Sequence, residues 1–219
     1  MSEASGTVFL LDVDNTLLDN DRVERDLKAH LRTELGEDSE RVYWTIFEQL
    51  RAELGYADYL GALQQYRREH PRNPHILELS AFLIDYPFHE RLYPGALEVI
   101  GRLRERGRTV VLSDGDAVFQ PRKIRRSGIW EAVEHHALVY VHKEQMLGDV
   151  EEKYQAERYV MVDDKLRILT AMKNIWRERL TTVFVRQGHY ALDQSSVAMY
   201  PPADVQVGSI AEVASSLKL

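Results

Sequence analysis

Residues 10–19 read LLDVDNTLLD, and within them Asp12 and Asp14 directly follow an apolar segment at residues 7–11. Side chains two positions apart on a strand point to the same face, so both carboxylates would lie together at the end of a first strand. Two negative charges that close resist joint ionisation unless a cation or a shared proton neutralises them. Because aspartate and asparagine are also common in solvated turns, this segment alone does not separate a turn from a functional site.

The composition is typical of a soluble globular protein. The chain has 219 residues, of which 44% are hydrophobic and 29% charged, and it is long enough for one domain or two unequal ones. No apolar stretch approaches the roughly 20 residues that cross a bilayer, and residues 1–6 lack the basic and apolar parts of a signal. The sequence contains no cysteine, which excludes disulfides, thiol nucleophiles and thiolate-bound zinc. These absences favour a cytoplasmic protein, and the net charge of −7 argues against nucleic acid as the main partner.

Two patterns of hydrophobicity follow the first segment. Between residue 21 and about residue 90, apolar residues recur at helical spacing, as in Val23, Leu27 and Leu31, and no strand is predicted. Beyond residue 95, short apolar runs rich in β-branched residues alternate with helical segments, which include 96–106 and 166–179. The predicted strands are 109–112, 137–141, 159–162, 182–185 and a weaker one at 205–207.

This alternation predicts an α/β fold with a Rossmann-like, mostly parallel sheet, because strands separated by helices are joined by crossovers that cover both faces. The first strand is separated from the others by the all-helical stretch. We therefore predict one α/β core made of residues 1–19 and 91–219, with residues 20–90 inserted as a helical cap.

Polar side chains follow four of the predicted strands, at the edge where open parallel sheets bind ligands. Several carboxylates at that edge form a hard oxygen site that attracts Mg²⁺, while a hydroxyl and an ammonium can hold a phosphate group. A pair of carboxylates can also supply a nucleophile and a proton donor. In strand order, the residues are Asp12 and Asp14, then Ser113 and Asp114, then His142 and Lys143, then Asp163 and Asp164.

In this order the motifs resemble those of the haloacid-dehalogenase-like hydrolase superfamily, and the resemblance extends along the whole chain. It implies that Asp12 is the nucleophile, which forms an aspartyl-phosphate and binds Mg²⁺. It implies that Asp14 is the general acid/base, with its backbone carbonyl also on the metal. Of the acid pair, Asp164 would reach the metal directly, and Asp163 would hold a metal-bound water.

The same resemblance assigns supporting roles. Thr16 would orient the loop after the first strand, and Ser113 and Lys143 would bind the phosphoryl group. Asp114 would assist through its backbone amide more than through its carboxylate. The inserted helices resemble the caps of such enzymes, which shield the intermediate from water and select substrates, with residues 19–20 and 91–94 as hinges.

Asp14 favours phosphatase chemistry over dehalogenation. Dehalogenases that resemble this chain lack an acid at that position, because halide leaves without a proton, whereas an alkoxide needs one. The predicted substrate is a small phosphomonoester. A phosphomutase with the same intermediate, and a catalytically silent phosphate-binding regulatory protein of the same fold, remain alternatives.

One lysine competes with Lys143 for the phosphate. Lys123 lies in the basic stretch 122–126, which reads more simply as the solvated face of a helix. We prefer Lys143 because it follows a strand that leads into the predicted site.

Overall fold

A computed structural model describes residues 6–217 of the chain, so most of the N-terminal stretch for which no signal was predicted lies outside it. Within these residues six strands form one sheet. They are β1 (Thr7–Leu11), β2 (Arg108–Asp114), β3 (Ala137–Tyr140), β4 (Arg158–Asp163), β5 (Leu180–Val185) and β6 (Val205–Val207). All neighbouring strands are parallel, in the order β3-β2-β1-β4-β5-β6. The predicted α/β fold with a parallel sheet is confirmed.

The helices occupy the connections between the strands, and one more follows the last strand. The four that follow β1 are α1 (Asn20–Leu35), α2 (Glu37–Leu54), α3 (Tyr59–Glu69) and α4 (Ile76–Asp85). The later ones are α5 (Ala96–Arg104), α6 (Phe119–Arg126), α7 (Ile129–Ala132), α8 (Leu147–Lys153), α9 (Leu166–Trp176), α10 (Gly188–Leu192), α11 (Gln194–Val197) and α12 (Val213–Ser216). Short 3-10 helices lie at Phe88–Arg91, Lys143–Gln145, Arg177–Arg179 and Ile210–Glu212. None of the helices in residues 6–217 combines the length and apolar character that a membrane crossing requires.

The sheet is apolar on both faces because helices cover both of them. Alternate residues of β1 enter two hydrophobic clusters: Phe9 and Leu11 pack on one side of the sheet, and Val8 and Leu10 pack on the other. A parallel strand buried on both faces reads as a continuous apolar run rather than as an alternating one. The run at residues 7–11 is therefore the signature of a central strand.

Two helices end earlier than the sequence predicts. The helix predicted for 96–106 ends at Arg104, and Gly107 lies so close to β1 that a Cβ there would be 2.1 Å from the Thr7 carbonyl oxygen. The helix predicted for 166–179 ends at Trp176, because Arg177 adopts a positive φ of 52° and a 3-10 turn follows. Left-handed residues of this kind terminate α-helices.

The block of helices α1–α4 is helical throughout, as the spacing of its apolar residues predicts. Its buried side chains belong to the same hydrophobic cluster as Phe9 and Leu11 under the sheet. At the contact, the ring of Tyr59 in α3 lies 5.3 Å from that of Phe119 in α6. The division into a core and a cap domain stays a prediction.

The two connections between the helical block and the sheet run side by side. Leu18 forms an antiparallel bridge with Leu92, and the Asp19 N–H donates to the Arg91 carbonyl oxygen at 2.7 Å. The Asp19 carboxylate also caps α1 by accepting from the Arg22 N–H at 2.8 Å. These contacts connect the segments that the sequence predicts as hinges.

The basic stretch 122–126 is only in part the solvated face that the sequence favours, because its last two arginines are exposed but its lysine is buried. Lys123 is 1% exposed and lies under the helical block. Arg122 donates to the Ile84 carbonyl oxygen, and Arg126 donates to the Asp85 carbonyl oxygen at 2.9 Å. Both arginines thus satisfy carbonyl groups that the end of α4 leaves without helical partners.

Asp26 in α1 forms hydrogen bonds with the segment that leads from α4 back to the sheet. Its Oδ2 accepts hydrogen bonds from the Tyr86 hydroxyl at 2.5 Å and from Arg91 Nε at 3.1 Å. Burial alone would raise the pKa of Asp26, but the Tyr86 hydrogen bond and the charges of Arg22 and Arg91 lower it below 3.8. A carboxyl group with a lowered pKa stabilises the fold above its unfolded pKa, and this contribution is lost as the pH falls through the folded value.

We therefore expect Asp26→Asn to lower the free energy of unfolding at pH 7, and the difference from wild type to shrink below about pH 4. Urea unfolding at several pH values between 7 and 3 measures this. Asp38→Asn is the matched control, since the Asp38 side chain is 93% exposed. A difference that is constant with pH would contradict the ionic role of Asp26.

Candidate active site

The topology of the sheet brings the predicted strand ends together. β1 lies between β2 and β4, so Asp12, which follows β1, has the end of each neighbouring strand beside it. The Asp12 N–H continues the ladder by donating to the Val162 carbonyl oxygen at 3.0 Å. Asp163 ends β4, and Ser113 is the penultimate residue of β2. The carboxyl edge of the central strands therefore carries the polar residues that the sequence predicts there.

Lys143 is buried among carboxylates. Its Nζ lies 2.6 Å from Asp12 Oδ1 and 2.7 Å from Asp163 Oδ2, and the side chain is 2% exposed. Burial alone would lower the pKa of Lys143, but the carboxylates of Asp12 and Asp163 raise it above its ordinary value. The ammonium thus separates and neutralises two carboxylates that could not both be ionised alone.

Asp114 positions this lysine. Its Oδ1 accepts a hydrogen bond from the backbone N–H of Lys143 at 2.7 Å. The sequence assigns the supporting role of Asp114 to its backbone amide, whereas the contact in the structure is made by its carboxylate. The difference arises because β2 and β3 are neighbours, which places the start of the Lys143 loop beside the end of β2.

The loop after Asp12 is held in one conformation. Thr16 Oγ1 donates to Asp12 Oδ2 at 3.0 Å, so each oxygen of the Asp12 carboxylate has its own donor. Asn15 adopts a positive φ of 60°, and its side-chain amide exchanges hydrogen bonds with the side chain and backbone of Asp21 at the start of α1. Gly188 is packed so closely against Asn15 that a Cβ there would lie 2.4 Å from the Asn15 Cβ.

Asp14 has a separate set of partners. Lys123 Nζ donates to Asp14 Oδ1 at 2.6 Å and to Asn20 Oδ1 at 3.0 Å. Gln120 Nε2 lies 3.3 Å from Asp14 Oδ2 and donates to Ser113 Oγ at 2.9 Å. The Asp14 side chain remains 25% exposed, in contrast to the buried Asp12. The two aspartates of the first motif thus have different partners, and only Asp14 is among the residues that line the cavity described below.

We did not predict Gln120 as a site residue, and we predicted a solvated helix face for Lys123 rather than a position beside Asp14. The two residues are three positions apart on α6, a spacing that places them on the same face of the helix. This spacing was the only local signal for their role, and the run of arginines around Lys123 obscured it.

Three carboxylates form a cluster that could bind a metal ion. Asp12, Asp163 and Asp164 are buried, and one oxygen from each lies within 4.8 Å of the others. Burial raises the pKa of Asp163 and of Asp164. Both oxygens of Asp164 are buried without a hydrogen-bond partner among residues 6–217. Unpaired buried carboxylate oxygens of this kind are costly unless a cation binds them, so the donor set fits a hard metal ion.

A cavity of about 350 Å³ is lined by sequence neighbours of this cluster, Asp14 and Lys165 among them, but not by the three clustered carboxylates themselves. Asp14, Lys123 and Lys165 lie at its wall, together with side chains from α2 and from the α10–α11 region. The lining includes a set of aromatic rings that face the interior: Phe47, Tyr56, Tyr59, Phe119, Tyr190 and Tyr200. The volume is within the range of small-molecule sites.

This parallel sheet, with carboxylates and a lysine at its central strand ends and a cavity lined by neighbouring residues, defines an α/β enzyme with an acidic active site. The family model described as haloacid dehalogenase-like hydrolase matches residues 7–175. The chain belongs to this family of hydrolases.

Solved structures agree with this assignment. A Burkholderia xenovorans protein described as a haloacid dehalogenase-like hydrolase is 61% identical, with a TM-score of 0.91, and the match covers 95% of this chain and 97% of that one. A haloacid dehalogenase-like family hydrolase from Xanthomonas campestris is 16% identical, with a TM-score of 0.69 and coverage of 100% and 93%.

The L-2-haloacid dehalogenase of Xanthobacter autotrophicus is 17% identical, with a TM-score of 0.64 and coverage of 98% and 99%. At this identity the likeness concerns the fold alone. The search of curated proteins gave no match.

Proposed function

We propose that this hydrolase is a Mg²⁺-dependent phosphatase that cleaves a small phosphomonoester through an aspartyl-phosphate intermediate. The observation that carries the proposal is the placement of Asp14. Its carboxylate faces the cavity, two residues after the buried Asp12, and has its own partners in Lys123 and Gln120. A phosphate ester needs a proton donor at this place, whereas a halide does not.

In the first step, an oxygen of Asp12 attacks phosphorus, the bond to the leaving oxygen breaks, and Asp14 gives that oxygen its proton. In the second step, Asp14 takes a proton from water, which attacks the aspartyl-phosphate and releases inorganic phosphate and free Asp12. The hydrogen bonds of Thr16 and Lys143 orient the Asp12 carboxylate for attack. The Ser113 hydroxyl and the Lys143 ammonium bind the oxygens of the transferring phosphoryl group.

Asp12, Asp164 and the backbone carbonyl of Asp14 are the groups that would hold Mg²⁺. The state of the two neighbouring aspartates supports the choice of Asp164. Asp163 Oδ1 accepts from the Lys165 N–H at 2.8 Å, and Asp163 Oδ2 forms no hydrogen bond among residues 6–217 but lies 2.7 Å from Lys143 Nζ. In the same range, neither oxygen of Asp164 has a hydrogen-bond partner. When bound, Mg²⁺ would neutralise the acid cluster and polarise a phosphoryl oxygen.

Substitution of Asp163 and of Asp164 tests which of the two carboxylates binds Mg²⁺ directly. We expect Asp164→Asn to weaken Mg²⁺ binding by more than about 100-fold, because it removes a charged ligand. Asp163→Asn should weaken it by only about tenfold, the range of an indirect contact. Isothermal titration calorimetry with Mg²⁺ measures both. The reverse order of effects would make Asp163 the direct ligand.

The function itself is tested with the purified protein on an aryl phosphate, with Mg²⁺ and with a chelator, beside a panel of 2-haloacids. We expect Mg²⁺-dependent release of phosphate and no release of halide. Halide release without phosphate release would overturn the proposal. Isomerisation of a sugar phosphate without net hydrolysis would identify a phosphomutase, and a lack of turnover on a broad panel would indicate a silent phosphate-binding protein.

A further inference from the structure

Two cationic side chains that line the cavity, Arg51 and Lys165, have no role in the proposed reaction. Lys123 and Arg167 also line it, but each already has a carboxylate partner, Asp14 at 2.6 Å for the first and Glu144 at 2.8 Å for the second. Lys165 forms no ion pair within 4.0 Å among residues 6–217, and although burial alone would lower its pKa, the charges of the three clustered carboxylates, Asp164 first, raise it. In the same described range, the one carboxylate within 4.0 Å of the Arg51 guanidinium is that of Glu48, at 3.6 Å.

These two cations converge on one ring. Lys165 Nζ lies 4.7 Å from the centroid of the Tyr190 ring, and the Arg51 guanidinium carbon lies 5.7 Å from it. Arg51 reaches the ring from α2 in the helical block, whereas Lys165 reaches it from the loop after β4. Two positive charges on one small surface repel each other, and the acid cluster near Lys165 and Glu48 beside Arg51 offset this repulsion only in part. The ring fixes both side chains on the cavity wall, where a ligand can meet them.

The position of Arg51 near the end of α2 is favourable for a cation in any case, because of the helix dipole. That explanation does not account for its contact with Tyr190, which belongs to another part of the fold. The acid cluster favours the charge of Lys165, but it does not account for the contact of Lys165 with the same ring. The convergence of the two residues is therefore the observation to be explained.

We infer that the substrate carries a second anionic group, a carboxylate or a second phosphate, which Arg51 and Lys165 bind beside Tyr190. This inference rests on the proposed phosphatase function and specifies its substrate class. The aromatic side chains of the cavity contact the part of the substrate between its two charged ends, so that part is planar or apolar. The substrate class is a small organic monophosphate with a hydrophobic body and a second acidic group.

The test compares ligands that differ only in the second charge. Phenylphosphonate, 4-phosphonobenzoate and benzene-1,4-diphosphonate are not hydrolysed, and their dissociation constants can be measured by calorimetry in the presence of Mg²⁺. We expect at least one of the doubly charged ligands to bind about tenfold or more tightly than phenylphosphonate, as one charge-assisted contact allows. The comparison between carboxylate and phosphonate identifies the second group.

Variants of Arg51 and Lys165 test whether these residues cause the tighter binding of the doubly charged ligands. Arg51→Gln and Lys165→Gln should each reduce the preference to about twofold, and Arg51→Lys should keep part of it because the charge remains. Arg41→Gln is the matched control, since Arg41 lies on the same helix with its side chain 73% exposed and lies outside the lining of this cavity. It should leave the preference intact. A wild-type protein that binds all three ligands equally would overturn the inference.

Turnover separates this inference from the proposed function. Phenyl phosphate and 4-carboxyphenyl phosphate are assayed on the same protein. If both are hydrolysed with equal kcat/KM and the phosphonates bind equally, the phosphatase proposal stands and the second anion site does not. If neither ester is hydrolysed but the doubly charged phosphonate binds more tightly, the site stands and the phosphatase proposal fails.

Discussion

The Asp12→Asn variant is expected to release phosphate from an aryl phosphate at least about 10⁴-fold more slowly than the wild type. The amide has the shape of the carboxylate, and its oxygen can still accept the Thr16 hydrogen bond, but it cannot serve as the nucleophile. Lys143 keeps Asp163 as a partner at 2.7 Å, so the substitution leaves the buried cluster with one ion pair. We therefore expect a folded protein without turnover.

Initial rates at saturating Mg²⁺ measure the loss of turnover. Circular dichroism and thermal unfolding measure whether the variant stays folded. Asp38→Asn makes the same chemical change at a side chain that is 93% exposed, and it should keep the wild-type rate. A folded Asp12→Asn protein with full turnover would rule out an aspartyl-phosphate at this position.

Lys143→Met should have the largest effect on stability. The variant leaves Asp12 and Asp163 buried without the ammonium that lies between them, and removal of one partner from a buried ion pair costs about 3–5 kcal/mol. We expect the free energy of unfolding to fall by this amount in the absence of divalent ions. Added Mg²⁺ should recover part of the loss, because a cation that binds the folded cluster stabilises it by mass action.

Urea unfolding without and with Mg²⁺ measures the loss in the free energy of unfolding and its recovery by the ion. Lys153→Met is the matched control, because Lys153 pairs with Asp149 at the surface and its side chain is 50% exposed. Exposed pairs of this kind contribute about 0–1 kcal/mol. Equal stabilities for the two variants would show that Lys143 does not hold the charge of the cluster. Phosphate release by Lys143→Met should also fall by about 10³-fold, since the phosphoryl group loses a cation.

Much of the fold was accessible from local patterns. Residues 7–11 and the later apolar runs predict strands because a buried parallel strand is apolar along its length, and this property depends only on neighbouring residues. The helical spacing of Val23, Leu27 and Leu31 likewise predicts α1. The ends of α5 and α9 were less predictable, because a close approach of Gly107 to β1 and a left-handed Arg177 decide them.

In the candidate site, too, some features follow from local sequence and others depend on tertiary contacts. The order of the polar residues after the strands predicts that Asp12, Lys143 and Asp163 meet, because parallel strands end at one edge of the sheet. The role of Lys123 was not visible, since its carboxylate partner lies 109 positions away in the sequence. In its local context, a lysine among arginines has the pattern of a solvated helix face.

The sequence by itself determined which chemical groups stand at the strand ends, and in which order, because strand formation and the residue that follows a strand are local properties. Only the tertiary structure decided how the charges are paired. Asp12 shares Lys143 with Asp163, Asp14 has Lys123, and within residues 6–217 Asp164 is left without a hydrogen-bond partner. These pairings join residues up to 131 positions apart, so they depend on the order of the strands and on the packing of α6 against the sheet.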